Sequence, residues 1–305
     1  MRKMKWAILL AFFTITSILT GCEPLTVLDP KGPQAERLAG DIILSMWIML
    51  GVVVAVFVIL IYMLVKYRAS NQSDDYEPPH IEGNAIVEAI CVGVPALIVI
   101  FLSVVTVQSN YIVESPVEVY EDKEPLVIYA SSSNWKWHFS YPEQDIETVN
   151  YLYVPTNRPL EFKLYSHGPI TSFWIPQLGG QKYAMADMTT TLHLGADVPG
   201  EYLGRNANFS GEGFAKNTFS VKAMNEDEFD EWVEEVKTTA EPLTEDTFNE
   251  LLEPGHLGQL TFTGTHLSFS PPPLSHGSHN DKHEDEQGAS DEQDVQDEHE
   301  HGHHE

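Results

Sequence analysis

The chain has 305 residues, an apolar fraction of 43% and a formal net charge of −28 at pH 7. At roughly 150 residues per domain there is room for two soluble domains. An acidic chain without a basic stripe excludes nucleic acid as a partner, because phosphates would be repelled.

The averages conceal four compositions: residues 1–68 carry net +3, 69–110 net −5, 111–270 net −16 and 271–305 net −10. Residues 1–21 read as a signal peptide. Arg2, Lys3 and Lys5 precede 14 uncharged residues, shorter than the roughly 20 that a spanning helix needs. Leu19-Thr20-Gly21-Cys22 ends the run and resembles the bacterial lipobox, in which the cysteine receives diacylglycerol and becomes the new N-terminus. Lipidation of Cys22 would anchor the chain, at about 0.8 kcal/mol per buried CH₂. An outer segment over 22–40 follows.

Residues 42–65 hold 24 positions without a charge, which predicts transmembrane helix 1 over 41–66. Residues 67–86 form the next loop, with Arg68 in it and Lys66 at its edge. Residues 89–113 are a second uncharged run, predicting transmembrane helix 2 over 87–112. Pro95 within it would kink the helix rather than exclude it. A lipidated Cys22 lies outside, and Lys66 and Arg68 lie inside by the positive-inside rule. The expectation is a multi-pass lipoprotein of the cell membrane with its C-terminal domain on the extracytoplasmic face.

Over 113–224 short aromatic and β-branched runs recur, at 126–130, 135–141, 149–154, 160–165, 189–194 and 218–223. Leu160, Phe162 and Leu164 alternate with Glu161, Lys163 and Tyr165. Turn signals such as Thr156-Asn157-Arg158-Pro159 and Pro199-Gly200 separate the runs, so a β-sandwich or barrel is expected. Residues 225–270 read as a helical extension. Asn225 would cap a helix with Glu226, Asp227 and Glu228 in its first turn. Phe229, Trp232, Val233 and Val236 form its apolar face. A second helix near Thr244 would bury Phe248, Leu251 and Leu252. The segment 271–305 has seven histidines and eleven acids after Pro271-Pro272-Pro273, and is expected to be disordered. Its histidines, His276, His279, His283, His299, His301, His303 and His304, could bind divalent metal, or the tail is a solvated spacer. His138, His167 and His193 stand singly and read as structural rather than as ligands.

Several ordered motifs remain: Trp135-Lys136-Trp137-His138-Phe139, Ser172-Phe173-Trp174-Ile175-Pro176-Gln177-Leu178-Gly179, Pro199-Gly200-Glu201-Tyr202 and Ser210-Gly211-Glu212-Gly213-Phe214. With two helices and a lipid-anchored N-terminus, they resemble subunit 2 of the haem-copper terminal oxidases. In the members that take electrons from cytochrome c, a loop of this kind holds a binuclear copper centre. Carried onto this chain, its histidine positions fall at Thr171 and Phe214 and its cysteine positions at Asn206 and Ser210. The backbone oxygen falls at Asn208 and the methionine at Asn217. No soft donor stands at any of them, and a thiolate-bridged copper pair needs cysteine. The only cysteines are Cys22 and Cys91. The chain therefore resembles the quinol-oxidising branch, as do Tyr141-Pro142-Glu143-Gln144 and Gln181-Lys182-Tyr183-Ala184-Met185-Ala186.

The resemblance implies a membrane α + β protein: a two-helix transmembrane hairpin, an extracytoplasmic cupredoxin-like β-sandwich and a disordered tail. It implies a complex that oxidises quinol, with menaquinol one candidate, and reduces O₂ to water while translocating protons. Subunits 1, 3 and 4 are the implied partners, with haems, copper and the quinol pocket in subunit 1 and no cofactor in this chain. Glu88, seven residues before Pro95, matches a carboxylate at the cytoplasmic mouth of a proton pathway. The other reading of Glu88 is a helix-start acid favoured by the dipole. Trp135 and Trp137 read as packing residues. One rival is the copper-bearing oxidase, which the missing thiolates oppose. The other is a free-standing membrane lipoprotein that binds divalent metals through its tail.

Overall fold

The structure is a computed structural model that describes residues 25–68, 83–120 and 122–274. The expected signal peptide, Cys22, most of the 67–86 loop and all seven tail histidines lie outside the described residues.

Two long helices come first, α1 (Pro33–Lys66) and α2 (Ala85–Glu114). α1 starts at Pro33, ahead of the uncharged run. Proline suits a first helical turn because its missing N–H has no partner there in any case. The added turns carry Glu36, Arg37 and Asp41, yet bury Gln34, Ala35 and Ala39. Arg37 Nε donates to Ser109 Oγ at 3.1 Å and so joins the outer ends of the two helices. Further along, apolar side chains stand open: Phe57 is 56% exposed, Leu64 64% and Val92 73%. Both helices are long and apolar enough to cross a membrane, and such faces need lipid or a partner subunit.

Among the described residues twelve strands then form two sheets. β1 (Leu126–Ser133), β2 (Lys136–Tyr141), β3 (Ile146–Val149), β5 (Leu160–Ser166), β8 (Thr190–Leu194), β11 (Glu241–Pro242) and β12 (Leu260–Thr263) make one sheet, in the order β11-β12-β3-β2-β1-β5-β8. β4 (Tyr151–Pro155), β6 (Thr171–Trp174), β7 (Lys182–Ala184), β9 (Gly200–Asn206) and β10 (Thr218–Met224) make the other, in the order β4-β10-β9-β6-β7. The expected run 149–154 is thus two strands in different sheets. Asn150, at φ 57°, turns the chain between them, a left-handed position that asparagine tolerates. Its Oδ1 accepts from Trp137 N at 3.0 Å.

Between the sheets Trp137, Phe139, Phe173 and Phe219 form an aromatic core. Phe173 lies 5.2 Å from Trp137 and 5.1 Å from Phe219, centroid to centroid. β2 is buried at every position. Its odd residues face this core. Its even residues Lys136, His138 and Ser140 face the C-terminal extension, as strand alternation requires. That extension comprises α3 (Glu226–Thr239), α4 (Glu245–Leu252), β11, β12 and a short turn His266–Ser268. Asn225 precedes α3, but its side chain makes no capping bond. Thr244 does cap α4, accepting from Thr247 N at 3.1 Å. β12 pairs with β3, so the extension is part of the sheet as well as helical.

Candidate functional site

The residues at the expected copper-ligand positions lie on β6, at the end of β9 and on the loop into β10. The β6–β9 pairing sets Phe173 opposite Asn206, which brings the loop beside Thr171. Asn206 organises the place. Its Oδ1 accepts from Ser172 N at 2.8 Å and Asn208 N at 2.9 Å. Its Nδ2 donates to Ser210 Oγ at 2.9 Å. Asn208 Nδ2 donates to Ile170 O at 2.9 Å, and Thr171 Oγ1 lies 2.6 Å from Ser132 Oγ. Asn217 O accepts from Asn206 N at 2.9 Å. The Asn217 side chain is 1% exposed, and neither of its amide atoms has a partner among the described residues. Phe214 packs against Phe209, with ring centroids 5.6 Å apart.

These donors do not fit a binuclear copper centre. Neutral hydroxyls and amides engaged with one another supply neither thiolate nor imidazole. Among the described residues no group of three His, Cys, Asp or Glu is placed to hold a metal ion. The loop is a hydrogen-bonded polar cluster.

Trp135 covers this cluster, a placement absent from the sequence reading. Its Nε1 donates to Ser210 O at 3.0 Å. Its ring lies so close to the loop that a Cβ on Gly213 would come within 2.2 Å of it. Trp135 and Ser210 are 75 residues apart, so no local pattern could announce the contact. Trp137, by contrast, is in the core, fully buried.

The Ser172–Gly179 motif joins the β domain to the helices. After β6 it makes a tight turn, with Leu178 N and Gly179 N both donating to Ile175 O at 3.0 and 3.1 Å. Gln177 O then accepts from Lys31 N at 2.7 Å, and Lys31 O accepts from Asp197 N at 2.8 Å. Tyr120 donates to Asp197, and Lys182 pairs with Glu114 at the end of α2. A groove of about 860 Å³ lies below this junction, with Leu38, Met46, Met49, Asn110, Trp174 and Ala207 among its lining residues.

Glu88 lies in the first turn of α2, at the opposite end of the hairpin from the β domain, and is exposed. Asn84 caps the helix, its Oδ1 accepting from Ile86 N at 3.0 Å and Val87 N at 3.3 Å. The Glu88 carboxylate folds back over Gly83, where a Cβ would stand 2.7 Å from Oε1. Pro95 lies inside α2 and offers no N–H to the Cys91 carbonyl.

The histidines read as single are not all so. His138 and His167 converge with His266 around Phe248. Their separation in the chain hid this.

The family model for the cytochrome c oxidase subunit II transmembrane domain matches residues 25–108. Quinol oxidase subunit 2 of Bacillus subtilis (strain 168) is 49% identical over 269 residues, covering 88% of this chain and 84% of that one. Quinol oxidase subunit 2 of Bacillus cereus (strain ATCC 10987 / NRS 248) is 45% identical over 271 residues, covering 86% and 93%. Among solved structures, the periplasmic domain of subunit II of cytochrome oxidase of Bradyrhizobium japonicum is 22% identical, with a TM-score of 0.36, over 37% of this chain and 94% of that one. With nearly half its residues shared along most of both chains, this chain belongs to the quinol oxidase subunit 2 family.

Proposed function

We propose that the chain serves as subunit 2 of a membrane quinol oxidase, a complex that oxidises quinol and reduces O₂ to water with proton translocation. The observation that carries this reading is the loop of Thr171, Asn206, Asn208, Ser210, Phe214 and Asn217. Where a cytochrome c oxidase needs a copper relay, this loop offers amides and hydroxyls bonded to one another. Quinol dissolves in the membrane and delivers electrons there, so an external relay has no task. Haems, copper and the quinol pocket belong to subunit 1 in this proposal, with subunits 3 and 4 completing the complex. The exposed apolar faces of α1 and α2 and the groove below the β domain are the surfaces offered to subunit 1. Family membership leaves the free-standing metal-binding lipoprotein without support.

The finer assignments belong to the same proposal. Cys22 carries the lipid after removal of residues 1–21. The β domain faces outward and the Lys66–Arg68 end faces inward. Glu88 collects protons at the inner end of α2.

The test is purification of the complex through this chain, followed by haem spectra and oxygen consumption. Quinol should support turnover and reduced cytochrome c should not. A binuclear-copper EPR signal, or turnover on cytochrome c, would overturn the reading.

A further inference from the structure

Where the C-terminal extension packs on the sheet, ionisable groups of β2, β3 and β5 meet His266. His266, Glu147 and His138 are fully buried, and Tyr165 is 1% exposed. His266 Nδ1 lies 2.7 Å from Glu147 Oε1, and His266 Nε2 lies 2.5 Å from the Tyr165 hydroxyl. One neutral tautomer satisfies both ends, with Nδ1–H donating to the carboxylate and Nε2 accepting from the hydroxyl. Ser140 Oγ donates to Glu147 Oε2 at 2.5 Å. The His266 ring stacks on Phe248 of α4 at 4.3 Å and 8°. His138 and His167 meet the same phenyl ring edge-on, at 5.5 and 5.4 Å.

Three imidazoles thus surround one ring, and the buried carboxylate of Glu147 engages only His266 among them. His138 Nδ1 and His167 Nε2 are buried and have no hydrogen-bond partner among the described residues. A proton added to either would be a buried, unpaired cation. The titratable groups beside them are Lys136 of β2 and His266 of the C-terminal turn, with Tyr165 of β5 5.3 Å from the His167 ring and Glu147 of β3 bonded to His266. Glu253, just past α4, is exposed; its backbone oxygen accepts from Lys136 Nζ at 2.6 Å, and its carboxylate charge also acts on Lys136. Burial, reinforced by His266, holds His138 well below the ordinary imidazole range and His167 at about 4. The last described stretch is tied to the sheet where Thr189 Oγ1 donates to Pro273 O at 2.7 Å.

We propose that α4 and residues 264–274 form an acid-sensitive latch on the β domain, which opens when His138 or His167 takes a proton. The sign follows from linkage. Each histidine binds its proton more weakly in the closed form, so protons favour the open one. The latch is closed above the ordinary histidine value of about 6.5 and loosens as pH falls toward 4. Each protonating histidine raises the open population by up to about tenfold per pH unit in that window.

The test is hydrogen–deuterium exchange on the whole purified complex from pH 7.5 to 4.5, with labelling times scaled for intrinsic exchange. Peptides from α4 and residues 264–274 should lose protection by about tenfold per unit below pH 6, while β1 and α3 keep theirs. His167→Phe keeps the ring packing and removes the proton site, and should move the loss to lower pH. Flat protection in the latch, loss in all elements together, or a wild-type profile in both His167→Phe and His138→Phe would overturn the proposal. Should neither variant assemble, the wild-type profile decides, because local loss supports the latch and uniform or absent loss overturns it.

Discussion

Asn206 donates from Nδ2 to Ser210 Oγ at 2.9 Å, joining the two positions that the family resemblance leads one to expect as those of bridging thiolates. The same amide accepts two backbone N–H groups through Oδ1, so it holds the loop together from within. Asn206→Ala would leave the Ser172 and Asn208 amides without acceptors. At roughly 1–3 kcal/mol for each buried orphan, the domain should lose about 3 kcal/mol. Thermal unfolding of the purified complex should register this as a fall of roughly 6–12 °C for a domain of this size. Turnover with quinol at lower temperature should be unchanged, because the loop carries no electrons in the proposed reading.

Phe173 fills the centre of the sandwich, touching Trp137, Phe139, Phe162 and Phe219. Phe173→Ala should cost about 3–5 kcal/mol through the cavity it opens. Proteolysis of the β domain, followed by mass spectrometry, should show cleavage at temperatures where the parent chain resists. Phe173→Leu keeps more of the volume and should lie between the two.

Glu88→Gln keeps shape and removes the proton-carrying group. If Glu88 feeds a proton pathway, oxygen consumption and proton pumping should fall together, by up to about tenfold, or ~1.4 kcal/mol on the barrier. Glu88→Asp should restore part of the loss. Unaltered turnover and pumping would leave Glu88 as a helix-start residue beside the Asn84 cap.

Acid should weaken the β domain before it affects the helices. His167 is held at about 4 by burial and by His266, against about 6.5 when exposed. The folded form therefore binds the proton less well, and stability present above pH 6.5 is lost as pH falls toward 4. Allowing for the partly open edge of His167, the loss is about 2 kcal/mol. Melting temperatures measured between pH 7.5 and 4.5 should fall in that window, and His167→Phe should flatten the fall.

Much of the domain was legible because its signals are local. The alternation of Leu160, Phe162 and Leu164 placed β5, and the turn residues after it marked its end. The runs read as strands leave out the Ser172–Gly179 motif, yet Thr171–Trp174 is a strand. Four residues are too few for period-two alternation to stand out, and pairing with β7 and β9 makes the strand. Likewise Gly200–Asn206 begins in a turn signal and continues as β9. Tyr165 sits at an alternate position that would face water in a bare sandwich, but the C-terminal extension buries it. The site was legible as chemistry, since the absent thiolates are a property of composition, but its hydrogen bonds were not.

By itself the sequence determined the two apolar spans, because their length must match a bilayer, and the lack of any thiolate between β9 and β10, because donor chemistry belongs to residue type. Only the tertiary structure decided that Asn206, Ser172 and Ser210 satisfy one another, that Trp135 covers them, and that His266 meets Glu147 and Tyr165. Hydrophobic periodicity is read over a few neighbouring residues. The His266–Glu147 contact joins residues 119 apart, and buried polar groups take whichever partners the packed sheets bring within hydrogen-bond reach.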